Sequence, residues 1–271
     1  MEPALAFIGT LCSLGKQLSG ARQSLAVSFC AGIRRDSVLD WGAMKPSSSF
    51  LLTAVAALAL TACNHTQPAH SSGRPELFNG KNLDGWQYSL ADAAVPRDAV
   101  WSVRDGIILC QGEPLGVLYT TETFTNFRLR LEYRWAPGSK PGNSGILTRI
   151  NGPTRALPRC AEVQLQHGNA GDVLGLQGMT VAAGQPRSFE LKAHAVAGDV
   201  AGVKKLVDAE KRAGEWNRVE LLAQGSTYTV WVNGQKVNDA SGVEVLAGPI
   251  GLQSEGGQIQ FRHVTVTRLG E

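Results

Sequence analysis

Charge is scarce in this chain of 271 residues: 18% are charged, with 26 Lys and Arg against 23 Asp and Glu, a formal net charge of +3. So small an excess, spread along the chain, lacks the basic footprint that a phosphate backbone requires, and no nucleic-acid partner is expected. No Cys-x-x-Cys or His-x-x-x-His spacing suggests a zinc site. There is no Gly-x-Ser-x-Gly elbow, and none of the Gly-rich turns opens a helix as a phosphate loop must. Internal repeats of roughly 20 to 50 residues are also missing, which excludes a solenoid. Aromatic residues are only 7% of the chain, yet 43% is hydrophobic and 31 residues are Gly. That composition excludes a disordered tail, a collagen and a coiled coil, and the length suits one large domain or two small ones.

The longest apolar run near the N-terminus, Phe50 to Ala62, has 13 residues, short of the roughly 20 needed to span a bilayer but suited to the core of a signal peptide. It follows Met44 and Lys45 and ends in Leu60-Thr61-Ala62-Cys63, which resembles the bacterial lipobox, whose Cys is acylated and becomes the new N-terminus. The expected organisation is therefore an extension over residues 1–43 that is non-native or poorly ordered, a lipoprotein signal peptide over 44–62, and a polar tether over 63–75. A single domain over 76–269 follows. Cys63 is the expected lipid acceptor, which places the protein in the bacterial cell envelope, on the periplasmic face or the cell surface. Residues 1–62 hold five of the cations and three of the anions, so the processed chain carries 21 against 20. Near-neutrality of this kind suits an uncharged sugar ligand.

From Glu76 onward apolar residues recur mostly at period two between Gly, Asn, Asp and Pro. Phe127 to Trp135 alternates apolar residues with Arg128, Arg130, Glu132 and Arg134, the pattern of a half-buried antiparallel strand. Trp216 to Ala223, Tyr228 to Val232 and Gln258 to Thr267 behave similarly, and Asn233-Gly234 signals a two-residue hairpin. In the last run the apolar parity switches between Phe261 and Val264, so a bulge is expected near Arg262-His263. Asp199 to Ala213 reads either as a helix or as an irregular insertion. Many strands with almost no helix predict an all-β sandwich or barrel. Cys110 and Cys160 form either one disulfide or two separate buried thiols.

Several segments carry polar groups suited to chemistry. As a strand, Cys160 to His167 turns Ala161, Val163 and Leu165 to the core and Glu162, Gln164 and Gln166 to the other face. One carboxylate and two amides suit sugar hydroxyls, which need donors and acceptors alike; an ordinary solvated face has the same pattern. His167 follows directly, as a base, a metal ligand or a turn residue. Gly248 to Gly257 brackets Gln253 and Glu255 with Gly-rich turns. Pro141 to Arg149 sets Asn143 and Arg149 around a Gly-rich bend, where Arg149 is either functional or a surface cation.

These segments together resemble the 3-keto-disaccharide hydrolase family. The landmarks are Leu77-Phe-Asn-Gly-Lys-Asn-Leu-Asp-Gly-Trp86, Trp101-Ser-Val-Arg-Asp-Gly106, Asn143-Ser-Gly-Ile146, Glu162-Val-Gln164, Gly214-Glu-Trp-Asn217, Trp231-Val-Asn-Gly234, Gly248-Pro-Ile-Gly-Leu-Gln253 and Phe261-Arg262. The resemblance implies a concanavalin A-like jelly roll of two antiparallel sheets that acts on glycosides whose C3 hydroxyl is oxidised to a ketone. Such a ketone acidifies the C2 proton, so a base can remove it, the C1 substituent leaves, and water adds back. On this expectation Glu162 or His167 is the base, and Arg149 or a bound divalent cation steadies the enolate oxygen. Gln164, Gln253, Glu255, Asn143 and Arg262 hold the substrate. Other members carry Asp-His where this chain has Ser254-Glu255, which removes a His-based role there. The competing readings are a carbohydrate-binding lipoprotein without catalysis, which needs only the polar face and exposed aromatics, and a structural envelope protein without sugar affinity.

Overall fold

The computed structural model describes residues 76–182 and 186–270. The expected signal sequence, the tether and the lipid acceptor Cys63 lie outside the described residues. In chain order the elements are β1 (Trp86–Leu90), α1 (Arg97–Val100), β2 (Trp101–Arg104), β3 (Ile107–Cys110), β4 (Gly116–Thr120), β5 (Phe127–Trp135), β6 (Gly145–Asn151), β7 (Arg159–Gln164) and β8 (Val173–Leu176). They continue as β9 (Ser188–His194), β10 (Gly198–Val203), β11 (Asn217–Gln224), β12 (Thr227–Val232), β13 (Gln235–Ala240), β14 (Gly251–Ser254) and β15 (Ile259–Arg268). The strands form two antiparallel sheets, one of eight in the order β1-β4-β14-β6-β7-β8-β10-β9 and one of seven in the order β13-β12-β11-β5-β15-β3-β2. The expected all-β sandwich is what the chain adopts. Among the described residues no helix is long and apolar enough to cross a membrane.

Strand β5 has the limits that its alternation predicts, with every odd-numbered residue buried. Its core face joins Trp101, Ile108, Leu118, Tyr228 and Phe261 between the sheets. A fully buried side chain of this size contributes roughly 1.5–3 kcal/mol, which fixes the register of the whole sheet. The outward face is a ladder of directly opposed polar pairs: Arg130 faces Glu220 and Arg262 faces Glu132, with contacts of 2.5 and 2.7 Å. The parity switch in β15 is resolved by a register shift between Arg262 and Thr265. His263 takes φ +52° there, and Phe261 and Val264 both reach the core.

The eight-stranded sheet departs from simple alternation because both of its faces are covered. Residues of β7, β8 and β14 are buried almost without exception. The face turned away from the main core carries a second apolar cluster that includes Val117, Leu147, Cys160, Leu174 and Leu176.

Asp199 to Ala213 does not form the helix that was one of its two readings. Its first residues complete β10, and residues 204–216 have no regular structure. The backbone amides that a helix would use are taken by distant acceptors: Lys205 N donates to Asp172 Oδ1 at 2.7 Å, Leu206 N to Val237 O at 2.7 Å, and Lys211 N to Asn217 Oδ1 at 2.8 Å. The disulfide alternative also falls, since Cys110 and Cys160 are both free and buried. One lies in β3 of the seven-stranded sheet and the other in β7 of the eight-stranded sheet.

The Asn233-Gly234 hairpin links these parts. Both residues have positive φ, +53° and +83°, as a tight turn between twisted strands demands. Asn233 Oδ1 accepts from Arg218 N at 3.0 Å, while its Nδ2 donates to Ala209 O at 2.7 Å and Asn217 Oδ1 at 2.8 Å. Asn233→Ala loses these bonds and a residue suited to left-handed backbone, so stability is expected to fall by about 1–3 kcal/mol. A urea midpoint shift at unchanged slope checks this.

Candidate active site

Beside the second apolar cluster, five of the residues singled out in the sequence lie close to one another: Asn143, Glu162, Gln164, Gln253 and Glu255, all buried. Strand pairing explains the convergence. Gly145 opposes Gln164 and Leu147 opposes Glu162 across β6 and β7, while β14 flanks β6 on its other side. Gly145 lacks a side chain at the point where Glu162 needs space, and a Cβ there would collide with Glu162 Oε1. The β-carbon-free position lets the carboxylate lie across the strand toward the loops that carry Asn143 and Glu255.

Those loops are fixed backbone to backbone. Gly256 N donates to Gly112 O at 2.6 Å, and Asn143 N donates to Gly256 O at 2.8 Å. Ser144 N donates to Asn143 Oδ1 at 2.9 Å, and Ser144 Oγ donates to Gln253 O at 2.8 Å. Gln164 spends its Oε1 locally, accepting from Leu165 N and Gln166 N at 3.0 Å each. Gln166 leaves the row because β7 ends at Gln164; its Oε1 accepts from Asn169 Nδ2 at 2.7 Å in the following turn.

The electrostatics are those of a dry acid pair. Burial pushes the Glu162 carboxyl well above the usual carboxylate range, and the neighbouring charges of Glu255 and Asp172 push it further. Burial raises Glu255 to about 7, against the opposing pull of the Asn143 and Gln253 amides. Glu162 is 2% exposed and Glu255 4%, so neither group is relieved by solvent. Glu162 Oε1 and Gln253 Oε1 have no hydrogen-bond partner, and the Asn143 and Gln253 amide nitrogens have none but the Glu255 carboxyl. An unpaired buried polar group costs about 1–3 kcal/mol, and such acceptors gathered beside an acid pair make the cluster a candidate ligand site. Asp172 was missed in the sequence because Gly171-Asp172 reads as turn grammar. Gly145 was quoted within a landmark without a role, since a void has no pattern of its own.

Three other expected site residues are placed elsewhere. Arg149 is neither a site cation nor a surface one. It is wholly buried, with φ +51°, and the bulge between Thr148 and Asn151 turns it away from the cluster. Its Nη1 donates to Glu244 O at 2.6 Å and Val243 O at 3.4 Å, its Nη2 donates to Thr125 O at 3.0 Å and Gly225 O at 2.7 Å, and its guanidinium lies over the Tyr228 ring. A guanidinium whose two terminal nitrogens are committed to four carbonyls and whose face lies over a ring is not placed to steady an enolate at the cluster. His167 stays at the rim, its N donating to Gly142 O at 3.1 Å. The ring faces Glu210, with Nδ1 3.2 Å from Oε2. Glu210 also accepts from Tyr133 Oη, Trp135 Nε1 and Gly168 N, so this contact straps the 204–216 segment to the sheet. Arg262 lies on the outward face of the seven-stranded sheet, paired with Glu132. The described residues gather no group of three or more His, Cys, Asp or Glu able to hold a metal ion. The donor set therefore does not fit the divalent cation considered from the sequence, and no step is derived through one.

The fold is an all-β sandwich of two antiparallel sheets, the architecture of concanavalin A-like lectins and carbohydrate-binding modules. Residues 73–267 match the 3-keto-alpha-glucoside-1,2-lyase-like domain family, and the chain belongs to that family. No curated protein matches the chain. Among solved structures it is similar to a candidate glycosyl hydrolase from Parabacteroides distasonis, with 21% identity, 72% of this chain and 93% of that chain covered, and a TM-score of 0.51. A second such protein from the same organism is 23% identical, covering 73% and 84%, with a TM-score of 0.49. The carbohydrate binding module CBM66 from Bacillus subtilis is 12% identical, covering 67% and 94%, with a TM-score of 0.49.

Arg149→Met keeps the length of the side chain but strands four carbonyls. The variant is expected to lose on the order of 3 kcal/mol or more of stability, visible as a lowered thermal midpoint, whereas a catalytic role would lower turnover in a protein of unchanged stability.

Proposed function

We propose that the domain cleaves 3-keto-glycosides at the Glu162–Glu255 cluster. The observation that carries this reading is a pair of buried carboxyls with raised proton affinity, one with an oxygen that has no partner, beside the amides of Asn143 and Gln253. A desolvated carboxylate is a stronger base than a solvated one, and a neutral carboxyl beside it can donate a hydrogen bond. The ionised member of the pair removes the C2 proton, and the electrons pass to the C3 carbonyl oxygen as an enolate. The Asn143 Nδ2 and Gln253 Nε2 donors beside Glu255 suit that oxygen in a water-poor site. As the enolate collapses, a C1–C2 double bond forms and the C1–oxygen bond breaks, with the protonated carboxyl supplying a proton to the departing oxygen. Water then adds at C1 and a proton returns to C2, so the sum is hydrolysis; release before hydration gives the lyase product.

Glu162→Gln and Glu255→Gln separate the two carboxyls without changing their size. Each is expected to lower kcat/KM on a 3-keto-glucoside by about 10²-fold or more. For the unchanged protein, kcat/KM should rise with pH through about 7, where Glu255 loses its proton. The stability consequence has the opposite sign. Glu255 is raised from 4.5 to about 7 in the fold, so the folded state binds the extra proton and stability decreases as pH rises between those values; Glu255→Gln flattens that slope. Undiminished turnover in both variants would leave a carbohydrate-binding module in place of an enzyme.

The same proposal sets the domain at the bacterial envelope, held by an acylated Cys63. Support comes from the cation, apolar core and Leu60-Thr61-Ala62-Cys63 sequence. Mass spectrometry of the membrane-extracted protein should find a chain that starts at a diacylated Cys63; an unmodified start at Met1 or Met44 contradicts it.

A further inference from the structure

The outward face of the seven-stranded sheet holds a cavity of about 740 Å³, lined in part by Lys211, Trp216, Arg218, Trp231, Asn233 and Arg262. Its volume falls within the roughly 300–1,000 Å³ of ordinary ligand pockets. We propose that this groove is a second saccharide site, specific for a sugar that carries a carboxylate and separate from the Glu162–Glu255 cluster on the other sheet.

Two half-buried indoles supply the platform. Trp231 stands in β12 directly opposite Glu220 of β11, and Trp216 immediately precedes β11. The Trp216 ring is held by two cations, with the Arg262 guanidinium 4.0 Å and the Arg134 guanidinium 4.4 Å from its centre. Contacts of this kind stiffen an aromatic surface before any ligand arrives. Sugar rings present their C–H faces to such surfaces while their hydroxyls meet the polar rim.

Charge selects the kind of sugar. Both carboxylates of the groove are already neutralised: Glu132 by Arg262 at 2.7 Å, and Glu220 by Arg128 at 2.9 Å and Arg130 at 2.5 Å. Arg134 donates to Gln260 Oε1 at 2.7 Å, and Lys211 Nζ donates to Trp216 O at 3.1 Å. Arg218 is different. It is exposed, its backbone N–H is bonded to Asn233, and among the described residues its guanidinium has no ion pair. The groove thus offers one uncommitted planar cation beside an indole wall, the complement of a uronate ring whose carboxylate sits at its edge. A cation count that exceeds the carboxylates also makes the attraction dependent on salt.

Tryptophan fluorescence of the full chain titrated with trigalacturonate, and in parallel with cellotriose, tests the assignment. Saturable binding of trigalacturonate is expected, weakened by added NaCl, and at least 10-fold tighter than cellotriose. Trp231→Ala and Arg218→Ala should each weaken it by 10-fold or more, and Arg218→Glu by more than Arg218→Ala. Glu162→Gln should leave it unchanged, which distinguishes failure here from failure of the catalytic reading. Because Arg218 is exposed, its variants fold even if the tryptophan variant does not. No binding of trigalacturonate, equal affinity for cellotriose, or loss of binding in Glu162→Gln with retention in Arg218→Glu would each overturn the proposal.

Discussion

Three stretches of backbone meet at Gly112, Gly142 and Gly256-Gly257, with no room for a side chain at Gly112, Gly142 or Gly257, and the candidate site depends on that meeting. A Cβ on Gly257 would lie 2.7 Å from Gly142 N and 2.9 Å from its Cα, and one on Gly112 would press 2.8 Å from the backbone of Gly257. Closeness of this order is open only to glycine, and Gly112 and Gly257 also take positive φ. The crossing clamps the loop before β6 to the loop after β14, and Asn143 and Glu255 sit one residue away from it on either side. A side chain at Gly112, Gly142 or Gly257 would part the loops and separate the amide from the carboxyl, even though both residues remained.

The clamp matters because of what the eight-stranded sheet does with its second face. In an ordinary antiparallel sandwich the outer face is solvated, and a carboxylate there keeps its usual acidity. Here β6, β7, β8 and β14 are covered on both sides, so Glu162 stands among Leu147, Leu174 and the Gly145 void. The same residue type two strands into the opposite sheet behaves quite differently: Glu132 and Glu220 meet arginines at a wet surface, where each pair contributes about 0–1 kcal/mol. Environment, not residue identity, separates an ion-pair ladder from an acid pair.

This contrast explains what could be read from the sequence. Strand β5, the Asn233-Gly234 turn and the bulge at Arg262-His263 were legible because each follows from a local rule: period two, positive φ, and a parity switch. Glu162 and Gln164 were legible as candidates because polar residues at fixed spacing on a strand suggest a shared face, and Asn143, Gln253 and Glu255 because they fall in or beside the Gly-rich segments that carry the family resemblance. Their burial was not, since alternation looks the same whether the polar side meets water or a second apolar layer. Arg149 was misplaced for a related reason. Its partners, the carbonyls of Thr125, Gly225, Val243 and Glu244, lie far away in sequence, and no spacing near Arg149 announces them. Asp199 to Ala213 could be read as a helix as well as an irregular insertion because Val203, Leu206, Val207 and Glu210 have helical spacing, yet amides there are captured by Asp172, Val237 and Asn217.

The cluster itself is hard to explain as architecture. A structural carboxyl acquires partners, as Glu210 has done: with its side chain 7% exposed, it accepts from a tyrosine, a tryptophan and a backbone amide, and contacts a histidine. Glu162 keeps one oxygen unbonded and Gln253 its amide oxygen, although the fold supplies hydroxyls and amides close by. Each such buried atom costs about 1–3 kcal/mol. A chain that satisfies Glu210 so fully, and leaves these two acceptors open in one place, has the means to close them and does not. The open atoms are acceptors, so a ligand that brings donors would complete the network, beside a Glu255 carboxyl raised to about 7, whose proton moves near neutral pH.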